Sequence, residues 1–228
     1  MAGVFLKVEI PSIFRESGEA MSGQAGQNTV SKEPATSGSA ATLHTIGYGA
    51  RSLEELVAAL QAQHIEFVLD VRTAPYSKFK PEFSREPLAA ALKARGLRYV
   101  FLGDTLGGQP RDPACYTDGK VDYEKVRRQP FFQTGLERLR KAHEQGMRAA
   151  LLCSEGRPEH CHRSKLIGEA LAAAGIPVRH LDEDGQALTQ TQVMDRLTGG
   201  QLDLFGGPAL TSRKRYGPGR EEDPEHAR

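Results

Sequence analysis

The stretch RAALLCSEGRPEHCHRSKLIGEALAAAGIPVRHL, residues 148–181, holds the pattern on which the fold turns. RAALLC (148–153) is a short apolar run of the kind that forms a strand buried on both faces. A polar loop bearing glycine and proline follows, and the run from about His162 to Ala174 then has helical spacing. It ends at Gly175, a residue suited to closing a last helical turn. PVRHL (177–181) reads as the next strand. Parallel strands need a crossover between them, and a helix commonly supplies it, so strand, helix and strand in close succession predict a parallel pair.

The alternation continues towards the N-terminus. TLHTIGYG (42–49) reads as a strand running into a glycine turn. Ser52 and Glu55 form a capping box ahead of Leu53, Leu56, Val57 and Leu60 at helical spacing. FVLDVR (67–72) and RYVFL (98–102) are further strands. Between them Ser84 opens a helix with Leu88 and Leu92 facing inward and Gly96 at its end. A helical run over 131–145 precedes the stretch at 148. The pattern predicts an α/β class fold: a single three-layer domain over 42–198 with a mostly parallel sheet of about five strands. Residues 1–41, rich in Ser, Gly, Ala, Thr and Gln, read as a disordered leader in which Met21 is an alternative start. Residues 199–228 read as a flexible tail.

Composition sets outer bounds. With 30 basic and 29 acidic side chains the net charge is +1, which excludes a broadly basic nucleic-acid coat but leaves room for a local basic groove. Three widely spaced cysteines, Cys115, Cys153 and Cys161, make no disulfide framework. No secretory signal is visible, and no run approaches the roughly 20 apolar residues of a membrane span. The expected setting is cytoplasmic, with no membrane partner.

In sheets of this kind ligands bind beyond the carboxyl ends of the strands, so the loops after strands are where chemistry is expected. The loop 153–164 is the richest. Cys153 ends a strand, while Cys161, His162, Arg163 and Ser164 open a helix whose N–H groups would attract anions and favour a thiolate. Cys153, Glu155, Cys161 and His162 are therefore catalytic candidates, with Glu155 as acid, base or orienter. Arg157, Arg163 and Ser164 are phosphate-binding candidates. Asp70 and Arg72, at the end of a second strand, add another carboxylate and another anion clamp. Tyr48 and Tyr76 could stack on a base or sugar, and Lys78 could meet a phosphate. Each has a plainer reading: a buried thiol is commonly a small hydrophobe, a charged pair after a strand a local ion pair, and a loop lysine a solvated one. Cys153, Cys161 and His162 also form a rival ligand set for zinc or iron, although their spacing differs from the compact pairs of a finger or ribbon. No cofactor is assigned.

These motifs are familiar together. TIGYG, LDVRTAPYSKFKPEF, the turn Leu106–Gly108 and CSEGRPEHCHRS resemble the domain-of-unknown-function family 488 over roughly 43–182. Cys153, Glu155, Pro158, Cys161, His162 and Arg163 match its signature, and the resemblance implies an α/β domain with little settled chemistry. A looser likeness is to rhodanese-type and cysteine-based phosphatase domains, which also place Asp-Val-Arg after an early strand and a cysteine between strand and helix. Here the interval from Cys153 to Arg163 is longer than their anion-cradling loop, and it holds Pro158 and a second cysteine.

The tail carries a separate signal. QLDLF, Gln201–Leu202–Asp203–Leu204–Phe205, stands between glycine pairs, and isolated apolar residues there are costly unless a partner buries them. It resembles the peptide by which bacterial polymerases and repair proteins dock on the replication sliding clamp, which implies a polar site for Gln201 and an apolar pocket for Leu204 and Phe205. A tether would raise the local concentration of a nearly neutral domain at DNA without strong DNA affinity of its own. The functional expectation is a DNA repair or base-processing enzyme, a hydrolase on DNA or a nucleotide, recruited by the clamp. The alternatives are a small-molecule thiol enzyme and a non-catalytic metal-binding adaptor.

Overall fold

The computed structural model describes residues 11–14, 42–199 and 210–216. In chain order these form β1 (Leu43–Gly47), α1 (Leu53–Ala62), β2 (Phe67–Asp70), α2 (Arg85–Ala94), β3 (Arg98–Phe101), α3 (Gly103–Leu106), β4 (Tyr116–Thr117) and β5 (Lys120–Val121). Then come α4 (Tyr123–Arg127), α5 (Pro130–Glu144), β6 (Ala149–Cys153), a π-helical segment Arg163–Gly168 that runs on into α6 (Glu169–Ala173), β7 (Val178–Leu181), β8 (Ala187–Thr189) and α7 (Gln190–Thr198). Among the described residues no helix is long and apolar enough to cross a membrane.

Six strands make one sheet in the order β3-β2-β6-β1-β7-β8. The first five run parallel, and β8 closes the edge antiparallel to β7. The expected mostly parallel sheet is present, with β8 and α7 as additions that the sequence pattern did not suggest. The short strand Ala187–Thr189 lacks alternating burial, so no period marks it. Thr189 both ends β8 and caps α7, accepting from Gln192 N–H while the Gln192 side chain bonds back.

Alternation along the central strands divides two cores. Ala149 and Leu151 of β6 face one cluster with Leu139, Leu166 and Leu171, beneath α5, the π segment and α6. Ala150 and Leu152 face the other with Leu56, Leu60, Leu88 and Leu92, beneath α1 and α2. Each layer is worth roughly 25 cal/mol for every Å² of apolar surface it removes from water, which is why two opposed helical layers suffice to hold a sheet buried on both faces. Ser52 caps α1 with the expected box, its Oγ accepting from Glu55 N–H at 3.1 Å.

Two short segments outside the expected domain lie against it. Pro11–Phe14, within the stretch read as a leader, buries Phe14 against Phe67 with ring centroids 6.0 Å apart, and Arg138 Nε donates to Ile13 O at 2.9 Å. Residues 210–216, within the stretch read as a tail, run beside β5: Tyr123 N–H donates to Leu210 O at 3.1 Å and Ser212 N–H to Val121 O at 3.0 Å. The peptide 201–205 lies outside the described residues.

Candidate functional site

The carboxyl ends of β1, β2 and β6 open on a cavity of about 430 Å³, within the range of small-molecule sites. Its floor is the loop after β6. Cys153, Cys161 and His162 are 5%, 3% and 9% exposed, yet all three reach the cavity. Both sulfurs approach one imidazole nitrogen: Cys153 Sγ lies 3.6 Å and Cys161 Sγ 3.7 Å from His162 Nδ1. His162 Nε2 is 3.0 Å from Val71 O, which can only accept, so Nε2 carries a proton and Nδ1 is the ring nitrogen that faces the two sulfurs.

The loop keeps this shape because it is bonded to the sheet from within. Arg163 is fully buried and donates to Glu155 O at 2.8 Å, Gly156 O at 2.7 Å and Leu181 O at 3.4 Å. Gly47 makes room for that arrangement: a Cβ there would stand 1.7 Å from Glu155 O and 2.2 Å from Arg163 Nη1. Ser164 Oγ bonds to Pro158 O and, at 3.1 Å, to Cys161 O. The first amides of the π segment are also engaged, Arg163 N–H with Cys161 Sγ at 3.5 Å and Lys165 N–H with Cys161 O at 3.2 Å. Arg163 and Ser164, expected to bind phosphate, thus hold the loop instead, and the helix start has turned its donors on Cys161.

Asp70 and Arg72 show a similar inward use. Asp70 is fully buried, and its carboxylate accepts from Arg72 Nε at 2.9 Å, Arg72 Nη2 at 2.5 Å, Arg72 N–H at 3.1 Å and Tyr99 Oη at 2.7 Å. Arg72 Nη1 donates to Phe83 O at 2.8 Å. A carboxylate with four donors has no free lone pair with which to take a substrate proton, and the planar fork of Arg72 is occupied by it. Asp70, expected as a catalytic acid or base, is placed as the anchor that fixes Arg72 beneath the Tyr48 ring, with Cζ 5.5 Å from its centroid. Tyr48 in turn stacks on Phe83 at 4.3 Å, and its edge lines the cavity.

The carboxylate that does face the cavity is Glu155, whose Oε2 pairs with Arg213 at 3.1 Å. Tyr76 stands on the rim and is 46% exposed. Arg157 is exposed and pairs with Glu183 at 2.9 Å, while Lys78 is exposed and outside the cavity wall.

Electrostatics favour charge on one thiol. Cys161 donating to the Cys153 sulfur, helped by His162, holds the Cys153 thiol well below the ordinary thiol value in spite of burial. Burial pushes Cys161 the other way, so the proton of the pair rests there. Such a cluster can supply a thiolate nucleophile or a set of soft ligands.

The 210–216 strap supplies the wall that sequence reasoning missed. Ser212, Arg213, Lys214 and Tyr216 line the cavity opposite the Cys loop, Tyr216 Oη accepting from Gln109 Nε2 at 2.9 Å. Tyr123, buried at the start of α4, completes that side beneath Lys165, whose Nζ bonds to Thr211 O at 2.9 Å. The basic run SRKR at 212–215 was the one signal available, and it sits among residues with the composition of a solvated tail.

No curated protein and no solved structure matches the chain. The family described as "Domain of unknown function DUF488" matches residues 52–170, from the cap of α1 into α6, and this span takes in Asp70, Arg72 and the whole Cys153–Arg163 loop. With more than half of its length so matched, the chain belongs to the DUF488 family.

Proposed function

We propose that this protein is a DNA-maintenance hydrolase that works from the cavity above Cys153, Cys161 and His162 and is delivered to DNA by docking of the 201–205 peptide on a replication sliding clamp. The observation that carries the reading is the convergence on one cavity of groups with complementary tasks. Glu155 offers a carboxylate to a water, Arg213 and Lys214 offer positive charge to phosphate, and Tyr48, Tyr76, Tyr123 and Tyr216 offer rings. With Asp70 sealed by Arg72 and Tyr99, Glu155 is the carboxylate left to serve as base. A cavity of about 430 Å³ accepts one nucleotide unit and not a duplex, so a target base would be turned out of the stack to enter it. Phe79, 93% exposed between Lys78 and Lys80 on the loop after β2, is the ring to which we assign stacking on the DNA beside the displaced base.

The tether accords with the charge balance. A net charge of +1 gives little long-range pull on a polyanion, and a clamp-bound peptide replaces that pull with effective concentration. The peptide belongs to the connection 200–209, between α7 and the strap that carries Arg213 and Lys214.

The test is incubation of the full chain, with clamp, with single-stranded and duplex oligonucleotides bearing alkylated, deaminated or oxidised bases, the products read by mass spectrometry. One substrate class is expected to change mass, with turnover reduced at least a hundredfold in Glu155→Gln. No product from any substrate, with the clamp complex demonstrably formed, would overturn the reading. Turnover that survives Glu155→Gln and fails only in Cys153→Ala would move the chemistry to the thiol.

A further inference from the structure

The geometry points to a divalent metal site, of the kind zinc occupies, formed by Cys153 Sγ, Cys161 Sγ and His162 Nδ1 with its fourth position open to the cavity. The ligand atoms of the three residues all lie within 4.8 Å of one another, and all three side chains are buried. With zinc–sulfur bonds of about 2.3 Å and zinc–nitrogen bonds of about 2.0–2.1 Å, a tetrahedral ion separates a thiolate from an imidazole nitrogen by about 3.5 Å. The two sulfurs stand 3.6 and 3.7 Å from Nδ1.

Nδ1 can make one hydrogen bond, as donor or acceptor, whereas two sulfurs are held at nearly equal distance from it. A cation shared by all three satisfies every group at once. The surroundings also have the form of an outer ligand shell. Val71 O fixes the imidazole through Nε2, as the distal nitrogen of a metal-bound histidine is usually fixed. Cys161 Sγ accepts the Arg163 backbone N–H at 3.5 Å, the kind of bond that settles a coordinated thiolate.

Gly108 completes the argument. It passes so close to the ring that a Cβ would lie 2.7 Å from His162 Cγ and 2.8 Å from Nδ1. The Leu106–Gly108 turn therefore packs directly on the imidazole, and any larger residue would displace the ring. Binding replaces the proton of the thiol pair by the ion: Cys153 binds as the thiolate, the Cys161 S–H bond breaks, two metal–sulfur bonds form and the displaced proton leaves to solvent. Two thiolates and a neutral imidazole leave the centre uncharged overall, with one position for water or a substrate atom on the cavity side.

This inference deepens the reading of the cavity as a reaction centre, but its test needs no substrate, so the two fail separately. The untagged full chain, kept reduced, is dialysed and its zinc measured by mass spectrometry. Cobalt(II) is then exchanged in, and the visible bands of tetrahedral cobalt and the thiolate charge-transfer absorption are recorded. One ion per chain is expected. Affinity should fall at least a hundredfold in Cys161→Ser and His162→Ala and remain unchanged in Cys115→Ser. Gly108→Ala, which keeps every ligand, should retain circular dichroism and lose affinity by tenfold or more. Failure of the folded wild-type chain to take up zinc or cobalt against a weak chelator would overturn the site. So would uptake that is indifferent to Cys161→Ser.

Discussion

Replacing Arg72 by methionine isolates the claim that Asp70 is an anchor and not an acid. The substitution removes two charged hydrogen bonds from a carboxylate with no exposure, those from Nε at 2.9 Å and Nη2 at 2.5 Å. It also takes the donor from Phe83 O. The carboxylate keeps only Arg72 N–H and Tyr99 Oη. Charged hydrogen bonds contribute about 1.5–3 kcal/mol each, and breaking one side of a buried pair costs about 3–5 kcal/mol, so about 4 kcal/mol is expected. At about 2–4 °C per kcal/mol for a chain of this size, the melting temperature should drop by about 8–16 °C. The double variant Asp70→Leu, Arg72→Met removes both charges together and should recover most of the loss, to within about 1–2 kcal/mol of the wild type. Urea unfolding followed by circular dichroism gives both numbers, provided the denaturant slope is unchanged. A loss below about 1 kcal/mol in Arg72→Met would show that water reaches Asp70, and would return it to the acid–base candidates.

Further outcomes follow from other parts of the structure. His180, bonded to Thr45 Oγ1 at 2.8 Å and Gln190 Oε1 at 2.7 Å, is lowered by burial from 6.5 to about 4. The unfolded chain therefore takes up a proton before the folded one, so this contribution is complete above pH 6.5 and declines as pH falls towards about 4, by about 3 kcal/mol. Stability measured across that window should fall less steeply in His180→Gln. Gly47→Ala forces a Cβ to within 1.7 Å of Glu155 O and should cost more than about 3 kcal/mol by urea unfolding, with the Cys loop released first. Ending the chain at Ala209 removes the acceptors of Lys165 Nζ and of Tyr123 N–H, and amide exchange at Val121 and Tyr123 should accelerate while β6 stays protected. Phe79→Ala should weaken DNA binding by roughly 5- to 150-fold, the value of one stacked base, and leave the melting temperature unchanged.

Much of the fold was readable because buried parallel strands are apolar runs and their crossovers have helical spacing. RAALLC, FVLDVR and the capped helix after Ser52 each carried such a signal. β8 escaped because three residues at a sheet edge have no period to show. The strap escaped for a different reason: its residues are held by backbone bonds to Val121 and Tyr123, which any polar sequence can make. At the site the sequence singled out the loop 153–164, which lines the cavity, and left individual roles open. Arg72 and Arg163 look alike as anion clamps in a sequence, and only the neighbouring carbonyls and carboxylate show that both are spent internally. The closeness of Cys153, Cys161 and His162 could not be counted from spacing, since it depends on the turn at Pro158–His160 that folds the loop back on itself.

The setting in DNA maintenance is tested most directly by binding the full chain to a bacterial sliding clamp, with fluorescence anisotropy of a labelled Thr198–Pro208 peptide as competitor readout. The account predicts saturable binding of the full chain that displaces the peptide, and loss of both in the Leu204→Ala, Phe205→Ala variant. Absence of binding at high clamp concentration, with the chain folded, would contradict it and leave the cavity as the centre of a small-molecule thiol enzyme.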